Sequence, residues 1–184
     1  MSIKELLKGE KVRLTAFHED DFSIIEKWYG ESGFSRHYDF MPALPRTAGQ
    51  LKEMIESSSD AHDQCIFAIK ENEGGGLIGI CGFESIVWNN GTARLYIGLG
   101  DKEHRGKGYA SEAIRQLVDF GFMELNLHCI QLSVIEYNSS AIKLYERAGF
   151  VREGTVREFV CRDSKRFDLY MYGLLRKEWE NAEN

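Results

Sequence analysis

Two cations and two glycines alternate in Arg105-Gly106-Lys107-Gly108, and Tyr109-Ala110-Ser111 follow directly. A strand is expected before this stretch, Thr92 to Gly100, and a helix after it, Tyr109 to Phe122. The first turn of a helix carries backbone N–H groups without intrahelical partners, together with the positive end of the helix dipole. Glycines lack Cβ atoms, so such groups can close round a bulky anion, with Arg105 and Lys107 adding charge beside them. A phosphate or pyrophosphate suits that cradle. The Gly-Lys-Ser/Thr ending of a P-loop is absent, and Ser111 stands where a dinucleotide fingerprint needs its third glycine. A plain glycine-rich surface turn is the competing reading.

A second constellation lies downstream. Asn138 and Tyr145 are seven positions apart, close to two helical turns, so they project from one helix face. Asn138 offers an amide donor and acceptor, Tyr145 a phenol. Taken alone, without the glycine loop upstream, Tyr145 reads rather as a core aromatic. No Ser/His/Asp elbow, His-x-x-x-His ligand set or Cys/His pairing competes, and His18, His37, His62, His104 and His128 are scattered.

The elements that must position these groups follow from periodicity. Lys11 to Ala16 alternates as a half-buried strand, and Glu19 to Tyr29 carries Phe22, Ile25 and Trp28 at helical spacing. Gly30 to Pro45, with Tyr38 and Asp39, reads as a long irregular stretch rich in aromatics, fit to line a pocket or to pack on the core. Thr47 and Gln50 form a capping-box pattern for a helix ending at Ser57 to Asp60. Gln64 to Lys70, Leu77 to Val87 and Thr92 to Gly100 form an antiparallel meander across the turns Glu71 to Gly76 and Asn89-Asn90-Gly91. Pairing about the second turn sets Glu84 opposite Ile97. On the helix after the glycine loop, Glu112 and Arg115 are expected to face outward. Cys129 to Ile135 is a strand, and Asn138-Ser139-Ser140 opens a helix that stops at Gly149. Phe150 to Val160 and Arg166 to Leu174 make a terminal hairpin across Arg162-Asp163-Ser164-Lys165. The polar tail from Arg176 is expected to fray.

Composition narrows the function classes. The 184 residues fit one domain with a real core, and a net charge of −6 gives no general attraction for nucleic acid but can favour a cationic substrate. No apolar run is long enough to span a bilayer, and Met1-Ser2-Ile3-Lys4 shows no signal peptide. Cys65, Cys81, Cys129 and Cys161 form no Cys-x-x-Cys pair and sit in strand-like segments, as small buried hydrophobes of a reducing cytosol would.

From Val12 to Trp179 the chain resembles the GNAT superfamily of acyl-CoA-dependent N-acetyltransferases, and within it the subgroup of RimJ/RimL-like and spermidine N-acetyltransferases. Ala93 to Ala110, ending Gly-Asp-Lys-Glu-His-Arg-Gly-Lys-Gly-Tyr-Ala, carries the likeness together with Asn138 to Phe150 and Glu153-Gly154. The resemblance implies an α/β fold: a mixed, mainly antiparallel sheet with a central splay, helices on both faces, and acetyl-CoA in the split. It implies a pyrophosphate site at Arg105, Gly106, Lys107, Gly108, Tyr109, Ala110 and Ser111, and a pantetheine arm beside Gly98, Leu99 and Gly100. Asn138 would meet the pantetheine end, Lys143 joins the cofactor set, and Tyr145 would protonate the departing thiolate. The family loop opens on Gln or Arg where Glu103 stands here.

The subgroup's Ala-Glu-Leu is Ala93-Arg94-Leu95 in this chain. Arginine keeps its proton and offers no lone pair, so it cannot serve as base. Strand alternation allows it to face solvent. The acceptor amine is then expected to lose its proton through water, with Glu84 as the nearest candidate for a relay carboxylate. Tyr38, Asp39 and Glu84 are the candidate acceptor-binding residues. A polyamine, a protein N-terminal amine and a small-molecule amine such as an antibiotic all fit, as does a sensor domain that binds acyl-CoA without transferring from it. No metal, nucleic acid or membrane partner is expected, a cytoplasmic location is, and a homo-oligomer fits.

Overall fold

The computed structural model describes residues 5–183, so the leader reading at Met1 to Lys4 falls outside the described residues. One seven-stranded sheet runs in the order β1-β2-β3-β4-β5-β7-β6. Its strands are β1 (Val12–Thr15), β2 (Cys65–Glu71), β3 (Leu77–Val87), β4 (Thr92–Leu99), β5 (Cys129–Ile135), β6 (Val151–Arg162) and β7 (Lys165–Leu175). Every neighbouring pair is antiparallel except β4 and β5. Those two run parallel and pair only at Thr92↔Cys129, Ala93↔Ile130 and Arg94↔Gln131. Beyond Arg94 the two strands part, and the sheet opens into the expected splay.

Helices cover both faces. The helices α1 (Asp21–Gly30), α2 (Ser32–Tyr38) and α3 (Ala48–Asp60) lie on one side. Their Phe22, Ile25, Trp28, Phe34, Leu51 and Ile55 close over Ala68, Leu77 and Ile80. On the other side are α4 (Tyr109–Met123) and α5 (Ser139–Arg147). Here Ala113, Ile114, Leu117, Phe122 and Tyr145 pack with Cys81, Phe83, Leu95 and Ile130. Each such large apolar side chain contributes about 1.5–3 kcal/mol on burial. The Thr47 capping box is present: Thr47 Oγ1 accepts from Gln50 N–H at 3.3 Å, and Gln50 Oε1 accepts from Thr47 N–H at 3.0 Å. Within the α1–α3 core sits a buried ion pair, Lys70 Nζ to Asp21 Oδ2 at 2.9 Å.

Five sequence expectations are corrected. The stretch Gly30 to Pro45 is not irregular throughout, because α2 occupies its first half and stacks Phe34 on Tyr38 at 5.1 Å between ring centroids. The tail does not fray: Arg176 opens α6 (Arg176–Glu183) and donates to the carbonyls of Leu127 and Phe122, while Trp179 Nε1 donates to Asp119 Oδ1. Glu112 does not face outward. Its Oε1 accepts from the N–H groups of Lys11 at 2.8 Å and Val12 at 3.0 Å. Glu84 pairs with Arg94 rather than Ile97, which pairs with Cys81. The turn is centred earlier than expected, and the ladder is interrupted between Glu84 and Val87, where Ser85 takes a φ of 53°. Finally, the cysteines are free, but Cys161 is exposed and Cys65 only half-buried.

Candidate active site

Gly108, at φ +86°, is the N-cap of α4, and Gly106 turns at φ +75°. Both values lie in the left-handed region that side chains resist, so glycine lets the connection from β4 turn into the first residues of α4. A cleft of about 500 Å³ opens at this point. Arg105, Gly106, Gly108, Tyr109, Ala110 and Ser111 form its floor, Gly98 and Leu99 its β4 wall, and Asn138, Lys143 and Tyr145 its α5 wall. Gly98 is needed for a close approach, since a Cβ there would stand 2.4 Å from the Tyr38 ring.

Two residues expected at the cofactor site, Lys107 in the loop and Gly100 on β4, are not among those lining the cleft. The Lys107 carbonyl accepts from Lys11 Nζ at 3.0 Å, and the Lys107 ammonium lies 6.0 Å from the Tyr109 ring centroid. Gly100 serves packing, because a Cβ there would meet the Trp28 indole at 1.9 Å. One cation that the sequence reading missed is present: Arg147 joins Arg105 and Lys143 around the cleft. The spacing of Lys143 and Arg147 on one helix face was the available signal.

A second cleft, of about 490 Å³, opens on the side of α1, α2 and α3. Tyr38, Asp39, Arg46, Glu84, Arg94, Tyr96 and Ser133 are among its lining residues. Six residues line both clefts: His37, Tyr38, Ile97, Asn138, Ala141 and Tyr145. The two spaces therefore meet where β4 and β5 separate.

Tyr145 stands at that meeting point, 6% exposed, with its phenol pushed up to about 12 by burial alone. It keeps its proton across the physiological range. Asn138 is committed to protein partners. Its Oδ1 caps α5 by accepting from Ala141 N–H at 3.3 Å, and its Nδ2 donates to the His37 carbonyl at 3.2 Å. Burial, with smaller contributions from Tyr96, Tyr29, Asp39 and Glu84, raises the Tyr38 phenol well above its ordinary value.

Arg94, partly exposed, does not point away from the site into bulk solvent. It lines the second cleft, its Nη2 donates to Ser133 Oγ at 3.0 Å, and its Nε stands 3.9 Å from Glu84 Oε1. Asp39 Oδ1 accepts from Met41 N–H at 3.0 Å. Among the described residues no cluster of His, Cys, Asp and Glu could hold a metal ion, and no helix is long and apolar enough to cross a membrane.

A family model described as an acetyltransferase (GNAT) domain matches residues 11–151. An uncharacterized N-acetyltransferase, p20, of Bacillus licheniformis is 31% identical over 178 residues, 95% of this chain and 98% of that protein. The spermidine N(1)-acetyltransferase of Vibrio cholerae is 37% identical over 108 residues, 58% of this chain and 62% of that one. A crystal structure of spermidine N-acetyltransferase from Vibrio cholerae in complex with CoA and spermine matches with a TM-score of 0.83 at 26% identity, covering 92% of this chain and 98% of that chain.

Proposed function

On the premise that this chain belongs to the GNAT acetyltransferase family and is an N-acetyltransferase, we propose how its residues divide the work. Acetyl-CoA occupies the cleft at the start of α4, its pyrophosphate against the N–H groups of Arg105 to Ser111. Arg105, Lys143 and Arg147 balance its negative charge. The acceptor, a primary amine, enters through the cleft beside α2. The observation that carries this reading is that Tyr145 lines both clefts at the splay.

The chemistry needs no protein nucleophile. An amine with a reference pKa of about 10 gives its proton to water, and its lone pair attacks the thioester carbonyl carbon. Backbone N–H groups in the part of β4 that no longer pairs with β5 can polarise the carbonyl oxygen as negative charge grows there. The carbon–sulfur bond breaks, and the leaving sulfur takes the Tyr145 proton, which solvent later restores. Such an acid contributes typically about 10² to 10⁴ in rate.

Likeness to spermidine N-acetyltransferases supports a polyamine as one acceptor class, and the motif from Ala93 to Ala110 supports placement near the RimJ/RimL-like enzymes. The test is steady-state thiol release from acetyl-CoA with a panel of primary amines. Amine-dependent release is expected. Acetyl-CoA binding by calorimetry with no release for any amine would favour the sensor reading instead.

A further inference from the structure

The acceptor cleft carries two carboxylates, Asp39 and Glu84, and two guanidinium groups, Arg46 and Arg94. A polycation seeks a cleft of net negative charge, and this one is balanced. The two acids are also partly engaged: Asp39 accepts from the Met41 backbone, and Glu84 faces Arg94.

Arg94 is placed as an anion receptor. It belongs to the last β4 residue still paired with β5, so it sits at the closed vertex of the splay. Among the described residues its guanidinium makes one hydrogen bond, to Ser133 Oγ, which fixes one arm of the fork and leaves the hydroxyl proton of Ser133 able to donate. The contact with Glu84 is at the outer limit of an ion pair, and both side chains are a third or more exposed, so the pairing is weak. The remaining guanidinium N–H groups match a carboxylate in the bidentate geometry that arginine favours. The cleft holds a further polar group able to meet a ligand. Ser35, 5% exposed and on the same cleft, has an Oγ without a hydrogen-bond partner among the described residues. A buried hydroxyl of this kind is usually satisfied by something.

We propose that the acceptor carries a carboxylate as well as the amine that is acetylated, and that Arg94 with Ser133 binds that carboxylate at the vertex of the splay. This rests on the acetyl-transfer reading above and sets a carboxylate-bearing amine in place of the polyamine that the likeness to spermidine N-acetyltransferases suggests. The carboxylate can be the α-carboxylate of an amino acid or an acidic side chain near the free N-terminus of a peptide.

The test uses matched pairs: amino acids against their amides, and short peptides with Asp or Glu against Asn or Gln near the N-terminus, with spermidine and putrescine as polyamine controls. In the wild type, kcat/KM for the carboxylate member should exceed that of its amide by about 10- to 100-fold, as for a charge-assisted hydrogen bond. R94M, checked for folding by its melting transition, should lose that discrimination, chiefly through KM. The amino acid arm and the peptide arm distinguish the two sources. Equal rates within every pair, or a preference for polyamines, would overturn the inference while leaving acetyl transfer intact. Absence of transfer to any amine would instead count against the function itself.

Discussion

The Asn138 side chain donates to the His37 carbonyl at 3.2 Å, tying the start of α5 to the end of α2 across the splay. The same amide caps α5 through Ala141 N–H. The bond therefore joins two residues that each line both clefts.

Asn138→Ala should therefore act on stability and on both substrates. Loss of a helix cap costs about 1 kcal/mol, and loss of a further hydrogen bond a comparable amount. We expect a fall in Tm of several degrees and higher KM values for acetyl-CoA and amine together. Calorimetry and steady-state kinetics on the same preparation check this. A rise in one KM alone would show that the clamp does not couple the clefts.

Tyr145→Phe keeps the ring and removes the proton. Acetyl-CoA affinity should hold while kcat falls by about 10² to 10⁴. The wild-type phenol, held up to about 12, should cause no loss of rate below about pH 11, so any basic limb belongs to other groups. The same shift affects stability. An unfolded tyrosine ionises near 10, so between about pH 10 and 12 the unfolded state binds fewer protons and the folded protein weakens as pH rises. Tyr38 and Cys81, both raised mainly by burial, act in the same direction. Melting curves from pH 8 to 11 should show this decline, less steeply in Tyr145→Phe.

Gly108→Glu and Gly108→Ala separate two effects. Any side chain at φ +86° brings backbone strain of about 1–2 kcal/mol, so both variants should melt lower. Only the glutamate adds negative charge to the cradle. Gly108→Glu should lose acetyl-CoA binding, and Gly108→Ala should retain much more of it. Equal losses by calorimetry would mean that loop shape alone governs binding.

Asp21→Asn leaves the Lys70 ammonium buried without its counter-charge. Breaking a buried pair in this way costs about 3–5 kcal/mol, or roughly 10 °C in Tm for a chain of this size. The double variant Asp21→Asn/Lys70→Met should regain most of that loss. Thermal melting of the three proteins decides it.

The strands and the helix after the glycine loop were legible because their apolar residues repeat at periods of two and 3.6. The capping box at Thr47 and the stop at Gly149 were legible for the same local reason. Residues whose roles depend on partners distant in sequence were not. Glu112 looked like a surface acid because its partners, Lys11 and Val12, lie about a hundred positions away. Arg94 looked solvent-facing because its partner Ser133 comes beside it only through the short parallel ladder of β4 and β5. The α2 segment was hidden by glycine and polar residues that disfavour a helix in isolation, and tertiary stacking of Phe34 overrides them.

The contacts of Lys11 bear on how the protein breathes. Its backbone N–H, with that of Val12, rests on Glu112, while its ammonium reaches the Lys107 carbonyl on the other side of Gly108. Lys11 and Val12, at the start of the edge strand β1, thus hold the glycine loop and the first turn of α4 on both flanks of Gly108. A cosubstrate that orders the loop must then slow amide hydrogen exchange at Lys11 and Val12, two positions outside its cleft, as linkage requires of any ligand that binds only the closed arrangement. The edge of the sheet becomes a remote reporter of whether the cradle is filled.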